Sequence, residues 1–389
     1  MAEIHVRRIF HRPVEHKSNC LNPANGQEEL AALSKKGYQL LKENKNADAK
    51  NYFSKILEVD HGNNYALVGL GDALRKLGSF HEAIEFYQRC LDYHPHNNYA
   101  LFGLADCYKT LNQYNKAIEV WDLYLEHDPK NITILTRVAD TYRKLHNFKS
   151  SKAMYQQVLD FQEDNSYAII GLGHLHYDFK EYRDALFYWE KMVEKHGMAN
   201  ADIRVLTSIG NCHRKLKSFE NGIIYFDAAI QRESTNFYAL FGLGDCFRGL
   251  NQPERALECW NTLLEKDPRN KILLTRAGDA YCALKDYENA TEYYNRALNI
   301  EFDTYAILGL SIIAEINGRI DEAISSLRDL ISKDCKNYRP YLELSKCYEK
   351  TGDKESAIEA LRDFQRLGIR NNIIIKRMES FGIQPVNKP

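Results

Sequence analysis

The 389-residue sequence predicts an all-α solenoid of antiparallel helix pairs, and three observations predict it. All three tryptophans, Trp121, Trp189 and Trp260, sit at one register of a repeat of about 34 residues. Leu70-Gly71, Leu104-Ala105, Leu172-Gly173, Ile209-Gly210, Leu243-Gly244 and Ala277-Gly278 recur at that period, each followed twelve residues on by a small residue: Ala83, Ala117, Ala185, Gly222, Ala256 or Ala290. Pro95, Pro129 and Pro268 fall where a second helix should stop. Units repeating every roughly 20 to 50 residues bury their apolar faces against their neighbours, so function lies on an extended surface more often than in a catalytic pocket.

Taken in order, residues 1–29, with Pro13, Pro23 and Asn25-Gly26, have no sustained periodicity and read as a flexible leader. From 30 to 371 each unit divides into two halves of helical apolar spacing joined by a turn such as Leu77-Gly78-Ser79-Phe80. Rings follow the first small pair (Tyr108, Tyr142, Phe247, Tyr281, Tyr348) and the second small residue (Tyr87, Trp121, Trp189, Phe226, Trp260, Tyr294). Small residues let the two helices approach closely, and the rings fill the seam between hairpins. In 372–389, Ile373, Ile374, Ile375, Met378 and Phe381 form the apolar face of a short helix ended by Gly382 and Pro385; it should cap the last repeat, whose core would otherwise be exposed.

This spacing resembles the tetratricopeptide repeat (TPR), matched in nearly every copy. Ten repeats start near residues 30, 64, 98, 132, 166, 203, 237, 271, 304 and 338. About three extra residues at Gly197 to Asp202 and one missing near Phe302 fall at turns between repeats. The resemblance implies a right-handed superhelix with a concave groove lined by the first helices.

Composition narrows the function. A formal net charge of -1 argues against a nucleic-acid or membrane-surface role, which would need a basic excess. No apolar run approaches transmembrane length, and Met1 to Cys20 is rich in His and Arg with no apolar stretch of signal-peptide size, so a cytoplasmic protein without membrane insertion is expected. Nine cysteines with no Cys-x-x-Cys suggest packing thiols, four of which (Cys107, Cys212, Cys246, Cys347) share the register where other copies have Ala73, Thr141 and Ala280; a reducing compartment suits them. His174 and His176 are two apart on one helix and cannot chelate one ion from it, and His176 stands in a packing tyrosine's slot. No metal and no cofactor are expected.

On a helix, repeat positions 2, 5, 9, 12 and 13 share a face opposite the packing positions. Position 9 carries Asp72, Asp106, Asp140, His174, Asn211, Asp245 and Asp279; three residues on stand Arg75, Lys109, Arg143, Arg214 and Arg248. As isolated exposed pairs these would be worth about 0.3–0.5 kcal/mol each, and recurrence on one face is what suggests recognition. Alternate repeats differ. Tyr99, Tyr167 and Tyr238 at position 2 accompany Phe102, Ile170 and Phe241 at position 5 and Gly103, Gly171 and Gly242 at position 6. The intervening repeats carry Thr136, Thr207 and Thr275, then Arg137, Ser208 and Arg276. A glycine inside a helix costs up to about 1 kcal/mol relative to alanine, so this register, shared by Gly69 and Gly309, signals a close approach by a neighbouring helix or by a ligand.

The function expected is a non-enzymatic interaction scaffold that holds an extended polypeptide in the groove. Over repeats two to eight the face carries nine Arg or Lys against six Asp or Glu, so its protein or peptide ligand should have mixed polarity leaning acidic. Position 5 lacks the lysine of the chaperone-tail clamp known among TPR proteins, which disfavours that ligand. An assembly scaffold using convex faces, ends or leader, including a homo-oligomer, is the alternative, and a small molecule in the groove is a lesser one. No phosphate-binding loop, nucleophile elbow or paired His-carboxylate motif points to catalysis.

Overall fold

The structure, a computed structural model, describes residues 23–383; the leader's residues 1–22 and the tail from 384 lie outside the described residues. All regular structure among them is helical, and the chain divides into two units, Met1–Met192 and Val193–Pro389.

The first unit holds helices α1 (Pro23–Lys42), α2 (Asn46–Val59), α3 (Asn64–Lys76), α4 (Phe80–Tyr93), α5 (Asn98–Thr110), α6 (Tyr114–His127), α7 (Ile132–Lys144), α8 (Phe148–Phe161) and α9 (Ser166–Asp178), and α10 (Tyr182–His196) begins in it. Odd and even helices pair into hairpins. The expected starts at 64, 98, 132 and 166 are the first residues of helices, whereas the first helix begins at Pro23, ahead of 30. Each hairpin is punctuated the same way. Asn63, Asn97, Asn131 and Asn165 accept a bond from the backbone N–H three residues on, satisfying a donor that the first helical turn leaves free. Between its two helices one residue turns left-handed: Gly78, Asn112, His146 and Lys180 have φ between +54° and +84°.

Within this unit the seams are aromatic. Tyr87, Trp121, Tyr155 and Trp189 are at most 1% exposed. A Cβ at Gly103 would stand 2.3 Å from the Tyr87 ring, and one at Gly171 2.3 Å from Tyr155. The close approach at these glycines is therefore made by a ring of the preceding hairpin.

The second unit holds α11 (Ile203–Lys215), α12 (Phe219–Arg232), α13 (Phe237–Gly249), α14 (Pro253–Lys266), α15 (Lys271–Ala283), α16 (Tyr287–Leu298), α17 (Thr304–Ile316), α18 (Ile320–Lys333), α19 (Tyr338–Lys350), α20 (Lys354–Arg366) and α21 (Asn372–Ser380). Here the expected starts at 203, 237, 271, 304 and 338 again coincide with helix starts. Phe226 closes against Gly242 and Tyr294 against Gly309, at 2.2 and 2.3 Å from the imagined Cβ. The cap is α21: Ile374 and Met378 are 1% exposed against Tyr341, Leu361 and Phe364, while Ile373 turns outward.

The threonines of the expected groove face turn their hydroxyls back toward the backbone. Thr207 and Thr275 are buried, and Thr136 donates its hydroxyl to the carbonyls of Ile132 and Thr133 at 2.9 Å, so the polar band is spent on its own helices. Cys107, Cys212, Cys246 and Cys347 are buried, in the alanine-like role their shared register suggests.

Candidate functional site

The first helices of successive hairpins bring the nominated side chains together, chiefly between repeats. In the first unit Arg75 reaches Asp72 on its own helix at 3.2 Å and Asp106 on α5 at 3.6 Å. Arg137 on α7 donates to the same Asp106 at 2.6 Å. One carboxylate thus joins three consecutive first helices. Arg143 donates to Asp178 on α9 at 2.6 Å and lies 3.8 Å from Asp140. The position-9 carboxylates also hold the seam: Tyr87 donates to Asp72 at 2.7 Å and Tyr155 to Asp140 at 2.6 Å. Burial, then the facing carboxylate, keeps both phenols well above the usual tyrosine range.

Lys109 is different. It makes no ion pair within 4.0 Å among the described residues, Asp106 three residues back included, and its ammonium lies 5.7 Å from the Trp121 ring centre. Burial holds its amine below the usual lysine range. A cleft of about 400 Å³ opens there, lined by Arg75, Asp106, Lys109, Thr110, Tyr114, Arg137, Lys144 and Phe80. Phe102 lies under Arg137, whose guanidinium is 4.7 Å from its centre. Tyr99 and Tyr167 are each 78% exposed, and His174 lies edge-on to Trp189.

The second unit repeats the constellation. Arg214 on α11 donates to Asp245 at 2.8 Å, Arg248 on α13 lies 3.3 Å away, and Arg276 on α15 donates to the same carboxylate. Arg214 also donates to Asn211 at 3.0 Å, Arg276 covers Phe241 at 4.7 Å, and Tyr294 donates to Asp279 at 2.8 Å. The Asp245 side chain is 2% exposed beneath three guanidiniums, while Tyr238 is 70% exposed.

Sequence reasoning paired these charges along one helix, and the structure pairs most of them across helices. The missed signal is a spacing of 31: Arg75 to Asp106 to Arg137, and again Arg214 to Asp245 to Arg276. Asp178 and Lys144 were also missed, as was Tyr65, 64% exposed at the register of Tyr99.

His176 is buried, donor or acceptor to Glu181 at 2.7 Å, and stacked on Tyr188, as a substitute for a packing tyrosine would be. Its ligating atoms lie within 4.8 Å of those of Glu181 and the exposed Asp184.

Profiles of the tetratricopeptide repeat match residues 34–92, 74–139, 203–236, 241–306 and 338–367. Among solved structures, a MamA protein is 20% identical over 43% of this chain and 91% of its own (TM-score 0.40). A tetratricopeptide repeat protein from Parabacteroides merdae ATCC 43184 is 17% identical over 71% of this chain and 94% of its own (TM-score 0.40). A second MamA structure is 19% identical over 42% and 94% (TM-score 0.39). Comparison with curated proteins gives no match. The chain belongs to the tetratricopeptide repeat family, whose members generally serve as scaffolds for protein–protein interaction and are typically not enzymes. No helix among the described residues is long and apolar enough to cross a membrane.

Proposed function

We propose that the chain is a non-enzymatic scaffold that holds an extended polypeptide segment along the face formed by the first helices of each unit. The observation that carries this reading is the row of outward rings at one repeat position: Tyr65, Tyr99 and Tyr167 in the first unit, Tyr238 and Tyr305 in the second, all at least 51% exposed. The hairpins of the first four already bury Tyr87, Trp121, Trp189 and Trp260, so the exposed rings lie outside those cores. Large rings held on rigid helices beside fixed guanidiniums suit a bound chain, since they give contact area at little entropic cost.

The aspartates are bound internally, so the cations and the rings are the recognition groups, and the preferred segment is apolar and acidic by turns. A cytoplasmic setting, argued from the buried thiols Cys90, Cys107, Cys246, Cys259 and Cys347, belongs to the same proposal.

The test is selection of binders from an unbiased display library, followed by titration against a Tyr99→Ala, Tyr167→Ala, Tyr238→Ala variant. Those rings are mostly in water, so folding should be untouched while affinity drops at least about tenfold. Selected segments that bind the variant as tightly as the wild type would overturn the proposal.

A further inference from the structure

The two units carry the same site. Tyr99 to Leu104 recurs letter for letter as Tyr238 to Leu243, and Leu135-Thr136-Arg137 as Leu274-Thr275-Arg276, at one offset of 139 residues. Trp121 and Trp260 share that offset, as do Asp106 and Asp245, and Arg75 and Arg214. Geometry follows sequence: Arg137 lies over Phe102, and Arg276 over Phe241, each at 4.7 Å. Each constellation forms wholly within its own unit.

Both sites hold more positive charge than their own carboxylates neutralise. In the first, Arg75, Lys109, Arg137 and Lys144 line a cleft with one carboxylate, Asp106; Asp72 pairs with Arg75 from its own helix, and Lys109 makes no ion pair within 4.0 Å among the described residues. In the second, three guanidiniums share Asp245; two oxygens cannot satisfy fifteen N–H donors, about five per guanidinium, and Arg248, 46% exposed, keeps its outer edge in solvent. A half-desolvated cation on a rigid helix, with an exposed ring further along the same helix (Tyr99 for Lys109, Tyr238 for Arg248), is a site for a carboxylate carried by an apolar chain.

We propose that each unit has its own binding site for an acidic side chain of a polypeptide, with Lys109 as the receiving cation in the first and Arg248 in the second, so that one chain takes two short acidic segments. This deepens the groove reading above and rests on it. Asp106 and Asp245 bind inward and hold Arg75, Arg137, Arg214 and Arg276, which leaves Lys109 and the exposed edge of Arg248 to meet the ligand.

The experiment is calorimetric titration of the full chain with a capped eight-residue peptide of alternating Glu and Phe, beside its Gln-for-Glu counterpart. The Glu peptide should bind with a stoichiometry of two, weaken as NaCl is raised, and exceed the Gln peptide in affinity at least about tenfold, the usual reach of a charge-assisted pair. Lys109→Met, which keeps the stem over Trp121, should reduce the stoichiometry to one, as should Arg248→Met, and the double variant should bind neither. Circular dichroism melts of each variant keep loss of fold distinguishable from loss of a site. A stoichiometry of one in the wild type, or two sites surviving in the double variant, overturns the proposal. So does displacement by inorganic phosphate at equal concentration, which would mark a site for free anions. Equal binding of the Gln peptide removes the acidic sites yet leaves the polypeptide-scaffold reading standing, since that reading depends on the tyrosine variant and the unbiased library.

Discussion

Asp106 and Arg137 lie 31 residues apart and meet at 2.6 Å, with Arg75 approaching the same carboxylate from the other side at 3.6 Å. The pair ties α5 to α7, and Arg75 ties α3 to α5 through the same carboxylate. Asp106→Ala would leave two guanidiniums facing each other with no anion between them. The expected loss is about 1–3 kcal/mol, against about 0.3–0.5 for an ordinary surface pair. In the second unit Asp245 is nearly sealed beneath three guanidiniums, so Asp245→Ala should cost more, about 3–5 kcal/mol. Urea denaturation reads both; a change below about 0.5 kcal/mol at Asp245 would reduce the bridge to a surface decoration.

Gly103 tests the seam. Alanine gains up to about 1 kcal/mol of helix propensity there, but its Cβ would lie 2.3 Å from the Tyr87 ring, and overpacking of that kind costs about 1–3 kcal/mol. The clash should win, with a net loss of up to about 2 kcal/mol. In a Tyr87→Leu background the obstruction is gone, and Gly103→Ala should become neutral or stabilising. A double-mutant cycle decides; the same cost in both backgrounds would mean that Tyr87 does not dictate the glycine.

Much of this architecture was legible because each repeat states it again. Helix starts, the turn at Gly78, the burial of Trp121, Trp189 and Trp260 and the capping by Ile374 and Met378 all follow from apolar period and small-residue register, which depend on local packing. Asp106 was legible as a face residue, and its partners were not, because helix geometry places residues 3 and 4 apart together while contact at a spacing of 31 is set by how hairpins stack. The hydroxyl bonds of Thr136 and Thr275 were not legible for a related reason: a threonine on a polar stripe can return its hydroxyl to its own backbone, and sequence alone does not separate the two uses.

The turns inside the hairpins offer a gain in stability. Lys217 and Lys285 hold φ of +61° and +64° where Gly78, Gly318 and Gly352 serve elsewhere. A left-handed conformation costs an ordinary residue about 1–2 kcal/mol, and glycine returns about 0.5–1 of that through its freer unfolded chain. Lys217→Gly and Lys285→Gly should each stabilise by about 0.5–1 kcal/mol, moving the melting temperature up by roughly 1–4 °C. An unchanged or lowered melting temperature in both would contradict the assigned turn geometry.

The buried thiols set an alkaline limit. Burial pushes Cys107 and Cys246 up to about 12, whereas the unfolded chain's thiols ionise near about 8.5. As pH rises past the unfolded value, the unfolded chain releases protons that the folded one retains, so the contribution of these thiols to stability is complete below about pH 8.5 and lost progressively toward 12. Tyrosines such as Tyr87 are shifted the same way, so the wild-type slope alone does not isolate cysteine. A Cys107→Ala, Cys246→Ala variant does, because the same register already accepts Ala73 and Ala280. Its stability, measured by urea denaturation at pH 8 and pH 10.5, should fall less steeply than that of the wild type. Alkylation at pH 8 should meanwhile reach the exposed Cys335 first and spare Cys107 and Cys246 until denaturant is added. Parallel slopes for variant and wild type, or early labelling of Cys246, would place these thiols in water and undo the packing role assigned to their register.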